Sequence, residues 1–459
     1  MTAASALGRR LQPLPNPRCN GAIASTHLQT TLLHAEVHFE LLDASAKQSL
    51  WEPRPLLGDV RPGAVRVRCQ APSCRQCAED LDGLRTAYSG LHLEPLVRAI
   101  RMHNGRRPVA PLALSRIALM VLPDYENLFH QFGSMAVAWG ALQESLDILP
   151  PHSNHSSSAV AAVADVALFM LSNASLAPTR TFWSPGFARM APTFVRTQYS
   201  PPPPAMFDRV ILVQPATETW WWNVWKPDAT DRRAVLNPMA SRLIASLLPA
   251  RSAEARAAEA AAMSAVAIAT GGVHDGNGRR RWSSAIDDTG SRWALIINRP
   301  LPADRRILNP AELARGLTPV LAAHGLEPVV IDLAALDTRA QLSLVRHAGL
   351  LIGAHGAGLL WNLFLPPAAP VVELLNLANA NEYYANHCRW SGRPYGRWQN
   401  RDPLREETAV DSATKVPLAP FRSHVWVNVS EVASVVSGVL STSGTRTAAS
   451  FPSSHKLIP

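Results

Sequence analysis

The chain has 459 residues, 47% hydrophobic and 17% charged, long enough to bury two cores. Its net charge of +9 comes mostly from scattered arginines, with no dense Lys/Arg stripe on any helix, which argues against a nucleic-acid partner. Five cysteines (Cys19, Cys69, Cys74, Cys77 and Cys388) are too few for a disulfide scaffold, and 38 prolines against 25 glycines point to many rigid loops.

Residues 1–105 read as an irregular, Pro/Arg-rich lead. Its first part, Met1 to Leu42, has no apolar stretch near the ~20 residues a membrane span needs. Cys74-x-x-Cys77 is half of a zinc ribbon, with no second pair to close a tetrahedral site. In an oxidising lumen, disulfides among Cys69, Cys74 and Cys77 are the better reading. Asp80-Leu81-Asp82 has the spacing of a metal-holding triplet, but it sits among cysteines outside either expected sheet and reads as coincidence.

Residues 106–248 read as a first α/β unit, with strands at Ile117–Leu122 and Val210–Val213. Between them, the block Tyr125-Glu126-Asn127-Leu128-Phe129-His130 offers a carboxylate and an imidazole. His130, flanked by Phe129 and Phe132, also fits a packed core histidine. Trp220 to Trp222 and Trp225 offer flat apolar faces, for stacking on a ligand or for packing. An Ala/Glu helix over Arg251–Met263 and a Gly/Ser/Asp-rich stretch, Gly271–Asp288, make 249–290 a helix and linker.

Residues 291–400 carry the strongest signals. Ala294 to Asn298 reads as a strand ending in Arg299, and Asn309 as the cap of a helix with Pro310 first and Glu312 third. Val329–Leu333 is a second strand, Asp337 caps a helix through Gln341, Leu344 and Val345, and Leu350–Ile352 and Val371–Leu375 are further strands. Strands alternating with short helices predict a parallel sheet covered on both faces. Ala348 to Ala380 has only His355 and Glu373 as ionisable groups, yet its glycines, prolines and valines favour buried sheet over a membrane span. After Thr408 the chain, grouped here as a 401–459 tail, is Ser/Thr-rich. Asn154, Asn173 and Asn428 each open an N-glycosylation triplet.

Within this unit, Gly353, Gly356 and Gly358 bracket His355 between a strand and a short predicted helix, Leu359 to Phe364. Such a turn brings backbone N–H groups close to an anion and suits a nucleotide diphosphate. A glycine turn that only packs strand on helix has the same pattern.

Together these pieces resemble the catalytic domain of glycosyltransferase family 61, which includes plant core β-1,2-xylosyltransferases and an EGF-domain O-GlcNAc transferase. The match rests on Arg299 at a strand end, Arg306-x-x-Asn309-x-x-Glu312, Gln341, the IGAHGAG run Ile352–Gly358, and the strand carrying Glu373. The block ending in His130 resembles the family's Asn-x-Phe-His element, and Asn223-Val224-Trp225 is similar to its xylosyltransferase branch. The resemblance covers roughly residues 110–400. The chain departs at Ser134, where the family usually has Asp, at Asn298, often basic, and at Leu360, usually Thr.

The resemblance implies an α/β, GT-B-like fold: two Rossmann-like domains with parallel sheets facing a cleft. It implies an inverting, metal-independent transfer of xylose or N-acetylglucosamine from a UDP-sugar to a glycan or glycoprotein, with no cofactor. Arg299, Arg306 and the amides after Gly356 would neutralise the diphosphate. His355 would donate to a phosphate oxygen or merely pack the turn, and Glu373 would accept from ribose hydroxyls or form a structural ion pair. His130 and Glu126 would be candidate bases, with Trp222 and Trp225 against the acceptor. A Golgi or ER-lumenal setting follows from the family. A non-catalytic glycan-binding relative is the alternative. A hydrolase, suggested by His-Gly-Ala-Gly, lacks the Gly-x-Ser-x-Gly nucleophile elbow.

Overall fold

The computed structural model describes residues 226–270 and 293–447 continuously. Before them it describes residues 23–25, 29–37, 64–68, 74–87, 93–103, 117–121, 128–148, 166–170, 193–194, 205–213, 216 and 219–222. The chain divides into two compact units, Met1–Trp222 and Asn223–Pro459.

The first unit holds β1 (Ile23–Ser25), β2 (Gln29–Val37), β3 (Val65–Arg68), α1 (Cys74–Ala87), α2 (Glu94–Ala99) and β4 (Ile100–His103). It continues with β5 (Ile117–Val121), α3 (Leu128–Ile148), β6 (Val166–Met170), β7 (Thr193–Phe194) and β8 (Ala205–Val213). Its eight strands form one sheet in the order β4-β3-β2-β8-β5-β6-β7, with β1 on β2. The expected parallel sheet is here a mixed one, because β2 runs antiparallel to β1, β3 and β8.

The N-terminal 105 residues therefore supply four strands and two helices, not an irregular lead. Their signal was present in Val65-Arg66-Val67-Arg68, an alternation whose valines are buried. The prolines of this stretch all fall outside those four strands. In α3, Phe132 and the run Met135 to Leu142 are buried almost all round, as befits a central helix.

The second unit opens with α4 (Arg233–Leu247) and α5 (Ala253–Ala269). It then alternates β9 (Trp293–Ile297), α6 (Pro310–Ala322), β10 (Glu327–Ile331), α7 (Thr338–Arg346), β11 (Ala348–Ala354), β12 (Val371–Leu375), α8 (Tyr383–Ser391) and β13 (Tyr395–Gln399). The strand pair β14 (Glu406–Glu407) and β15 (His424–Val425) precedes α9 (Val429–Thr447). The five-stranded sheet β10-β9-β11-β12-β13 is parallel throughout. β9 and β12 are buried at every residue, which explains the wholly apolar run of β9 and the valines and leucines that flank Glu373 in β12.

Three boundaries move. α4 and α5 pack within this unit, α5 against α7 and β10, so neither a first-domain end at 248 nor a free helix-and-linker follows. The stretch Gly271–Asp288 lies outside the described residues. The supposed tail contributes α9, whose Val432, Val436, Val439 and Leu440 recur at helical spacing and share a core with Leu313, Leu317 and Leu321 of α6. Serines on its outer face gave that helix its low-complexity look.

Local details follow from capping chemistry. Asp337 accepts from the Ala340 N–H at 2.9 Å, as its position before α7 requires. Asn309 occupies the N-cap position of α6 but makes no cap bond. Its amide instead bridges Val427, donating to the carbonyl at 3.0 Å and accepting from the N–H at 2.9 Å, and donates to Glu312 at 3.1 Å. The segment after Gly356 is a 3-10 helix, Ala357–Phe364. Among the described residues, no helix is long and apolar enough to cross a membrane.

Candidate functional site

In chain order the strands of the second sheet run 2-1-3-4-5, so the winding reverses between β9 and β11. Open parallel sheets bind ligands beyond the strand carboxyl ends at that reversal. Two of the sequence-predicted elements meet there: Arg299 follows β9, and the glycine run Gly353–Gly358 leads out of the end of β11. An ideal Cβ on Gly356 would fall 2.4 Å from Nη2 of Arg299, and one on Gly358 3.3 Å from Cγ2 of Ile297. Glycine at 356 is what lets the guanidinium lie on the backbone of the turn.

The loop from Asn298 to Ile307 folds back on itself. Asn298 Oδ1 accepts from the Ile307 N–H at 3.1 Å, and the Arg306 Nε donates to the Arg299 carbonyl at 3.1 Å. Arg305, at φ +52°, occupies the left-handed region. Asp304 gathers three guanidiniums: Arg299 at 3.4 Å, Arg305 at 3.5 Å and Arg422 at 2.5 Å. Burial works to raise the Asp304 pKa, but Arg305, Arg422 and Arg299 outweigh it and hold the group ionised. The pKa of Arg299 is pressed down, first by burial and then by the positive charge of Arg305, with Asp304 opposing both. Three cations around one carboxylate leave a positive surplus that an anion would relieve.

Arg305 is the residue that sequence reasoning missed. It is Arg305 that shares Asp304 with Arg299, whereas the Nε of Arg306 is turned to a backbone carbonyl. Adjacent arginines cannot be told apart without the loop conformation. The motif residue Gln341 likewise turns to a carbonyl, that of Leu336 at 2.8 Å, and braces the start of α7.

His355 is nearly buried, at 7% exposure, and stands edge-on to Tyr384 and stacked near Tyr383. Its Nδ1 lies 2.5 Å from Oε1 of Glu373. Glu373 is fully buried, and its Oε2 accepts from the Tyr395 hydroxyl. With both oxygens engaged and no exposed surface, Glu373 stands behind His355 and not at a ribose. The structural-pair alternative is the one the geometry supports, because a buried carboxylate must be compensated where it sits. Burial, and next the Glu373 charge, push the Tyr395 and Tyr384 hydroxyls well above the ordinary tyrosine range.

In the first unit, the 3-10 turn Trp220–Trp222 packs on α3. An ideal Cβ on Gly133 would sit 2.4 Å from Nε1 of Trp221, so the glycine admits that ring into the core. Trp222 is only partly buried and tilts over His130 with ring centroids 5.0 Å apart. Two predicted acceptor-side residues are thus neighbours. Burial lowers the His130 pKa to about 4, so its ring is neutral at neutral pH. Ser134, one turn further along α3, is buried. Glu126 and Trp225 lie outside the described residues, as do Asn154, Asn173, Cys19 and Cys69. Cys74 and Cys77 begin α1, Asp82 is exposed and pairs with Arg85, and Cys388 is a buried free thiol with its pKa pushed up to about 12 by burial.

A parallel sheet with a cationic, glycine-lined switch point makes this an α/β domain whose charge is suited to an anion. The chain belongs to glycosyltransferase family 61: the Glycosyltransferase 61 family profile matches residues 139–372. Among similar proteins, an EGF domain-specific O-linked N-acetylglucosamine transferase of Drosophila melanogaster is 37% identical over 98 residues, 21% of this chain and 18% of its own. The protein of the same name from Xenopus laevis is 37% identical over 100 residues, 22% of this chain and 19% of its own. Protein O-linked-mannose beta-1,4-N-acetylglucosaminyltransferase 2 of Bos taurus is 32% identical over 126 residues, 26% of this chain and 21% of its own. The matched part of the chain spans only about a fifth of the length of these relatives.

Proposed function

We propose that the protein is a glycosyltransferase that moves N-acetylglucosamine or xylose from a UDP-sugar to a hydroxyl of a glycan or glycoprotein acceptor, with inversion and without a metal. The observation that carries this reading is the cluster of Arg299 and Arg305 on Asp304 beside the glycine turn. A UDP leaving group develops negative charge as the anomeric C–O bond breaks. Guanidiniums already in place can neutralise it without the cation that other transferases recruit. A GT-B-like fold is part of this reading. In it His130 or Glu126 takes the acceptor proton, while Trp222 and Trp225 stack on the acceptor. The relatives' names favour N-acetylglucosamine as the first donor to try. A secretory-pathway setting accords with glycoprotein acceptors.

The test is UDP release by the purified protein across a panel of UDP-sugars, with and without EDTA. Release from one donor, undiminished by EDTA, is expected. An absolute requirement for Mn²⁺ would instead return Asp80 and Asp82 to consideration. Donor binding with no turnover on any acceptor would select the binding-only relative, a reading that Ser134 in place of an acid favours.

A further inference from the structure

The proton on His355 is located by its neighbours. Glu373 approaches Nδ1 at 2.5 Å, and its other oxygen accepts from Tyr395, whose hydroxyl oxygen accepts from Arg397 Nε at 3.2 Å. A ring whose Nε2 accepts carries its hydrogen on Nδ1, facing the Glu373 oxygen. The second ring nitrogen faces Asn381, whose amide orientation is fixed from both sides. Its Oδ1 accepts from the Tyr383 N–H at 3.3 Å, and its Nδ2 donates to Asn379 Oδ1 at 2.7 Å. Asn379 Oδ1 in turn accepts from the Asn381 N–H at 3.4 Å. What Asn381 turns toward Nε2, at 3.1 Å, is therefore an N–H, and Nε2 accepts.

We infer that Glu373 and Asn381 are positioning residues that hold His355 neutral with its proton on Nδ1, so that Nε2 offers a lone pair and its substrate contact is a hydroxyl group. The expected hydrogen bond from His355 to a phosphate oxygen has no donor in this arrangement; the arginines serve the phosphates. A hydroxyl replacing the Asn381 N–H on Nε2 meets the same acceptor, whether it belongs to the nucleotide-sugar or to the acceptor molecule. The identity of that hydroxyl rests on the glycosyltransferase reading; the position of the proton does not.

The full-length protein labelled with ¹⁵N-histidine gives the direct measurement, with the His355 ring signals assigned by their loss in His355→Asn. Near pH 7, Nδ1 should be protonated and Nε2 bare. A proton on Nε2, or on both nitrogens, overturns the inference. Asn381→Asp places a carboxylate opposite Nε2 and should draw the proton there. The loop can accommodate the change, because Asn379 Nδ2 has no partner among the described residues and can turn to meet the new oxygen. If the hydroxyl belongs to the nucleotide-sugar, UDP-N-acetylglucosamine affinity should fall by about tenfold or more in this variant. If it belongs to the acceptor, donor affinity should hold and turnover fall by a similar factor. Unchanged affinity and turnover with the proton on Nε2 would also overturn it. Failure of the glycosyltransferase reading would show separately, as no UDP-sugar binding by the wild type, while the ring signals still decide the tautomer.

Discussion

The Arg299 guanidinium rests on the backbone of Gly356, so close that a methyl group at that glycine would fall 2.4 Å from Nη2. Site and turn are therefore one unit, and either residue can be used to perturb the other. Arg299→Ala should weaken UDP binding by roughly tenfold or more, with Arg299→Lys recovering part of it, since a bidentate guanidinium is only partly replaced by an ammonium. Gly356→Ala should produce a similar loss by displacing the guanidinium while its charge remains. Calorimetric titration with UDP checks both, alongside circular dichroism to confirm the fold. Wild-type affinity in a folded Gly356→Ala protein would separate the turn from the site.

His130 belongs to the acceptor side of the proposed reaction, so its loss should leave UDP affinity near wild type. His130→Gln should lower turnover by roughly 10² or more, the usual range for removing a general base. Normal turnover in His130→Gln, with none in Glu126→Gln, would move the base four residues upstream. If both variants turn over normally, the block is packing and the acceptor-side assignment fails.

Two histidines, one partly and one fully buried, make the fold sensitive to mild acid. Burial lowers the pKa of His130 to about 4 and that of His387 to about 3, against an ordinary value of 6.5. Below 6.5 the unfolded chain takes up a proton that the folded chain refuses, so stability is full above that pH and falls as pH drops toward the folded values. Between pH 7 and pH 5 each should cost on the order of 2 kcal/mol. Urea unfolding at the two pH values measures this, and His387→Leu should flatten the dependence. Equal stability at pH 7 and pH 5 in the wild type would contradict it.

Asn309 ties the start of α6 to the segment between β15 and α9 through both halves of its amide. Asn309→Ala leaves the Val427 N–H and carbonyl unsatisfied in the interior and should cost about 2 to 3 kcal/mol. A loss below ~0.5 kcal/mol in chemical denaturation would mean that water or a neighbour replaces the amide.

The sequence by itself determined the second sheet. Uninterrupted apolar runs such as Ala294–Ile297 specify strands buried on both faces, and Asp337 marks a helix start by local capping chemistry. Three glycines around His355 mark where backbone meets ligand or side chain. These signals are local and survive without knowledge of neighbours.

Tertiary structure decided the rest. The antiparallel insertion of β2 into the first sheet, the membership of α4, α5 and α9 in the second unit, and the choice of Arg305 over Arg306 at Asp304 depend on partners far away in the chain. Glu373 shows the limit most clearly. A carboxylate on a strand of this sheet reads equally as a ligand contact or a structural partner, and only the packing of His355 and Tyr395 against it shows both its oxygens engaged. Local sequence fixes what a side chain can donate or accept; the fold alone fixes whether that capacity is already used.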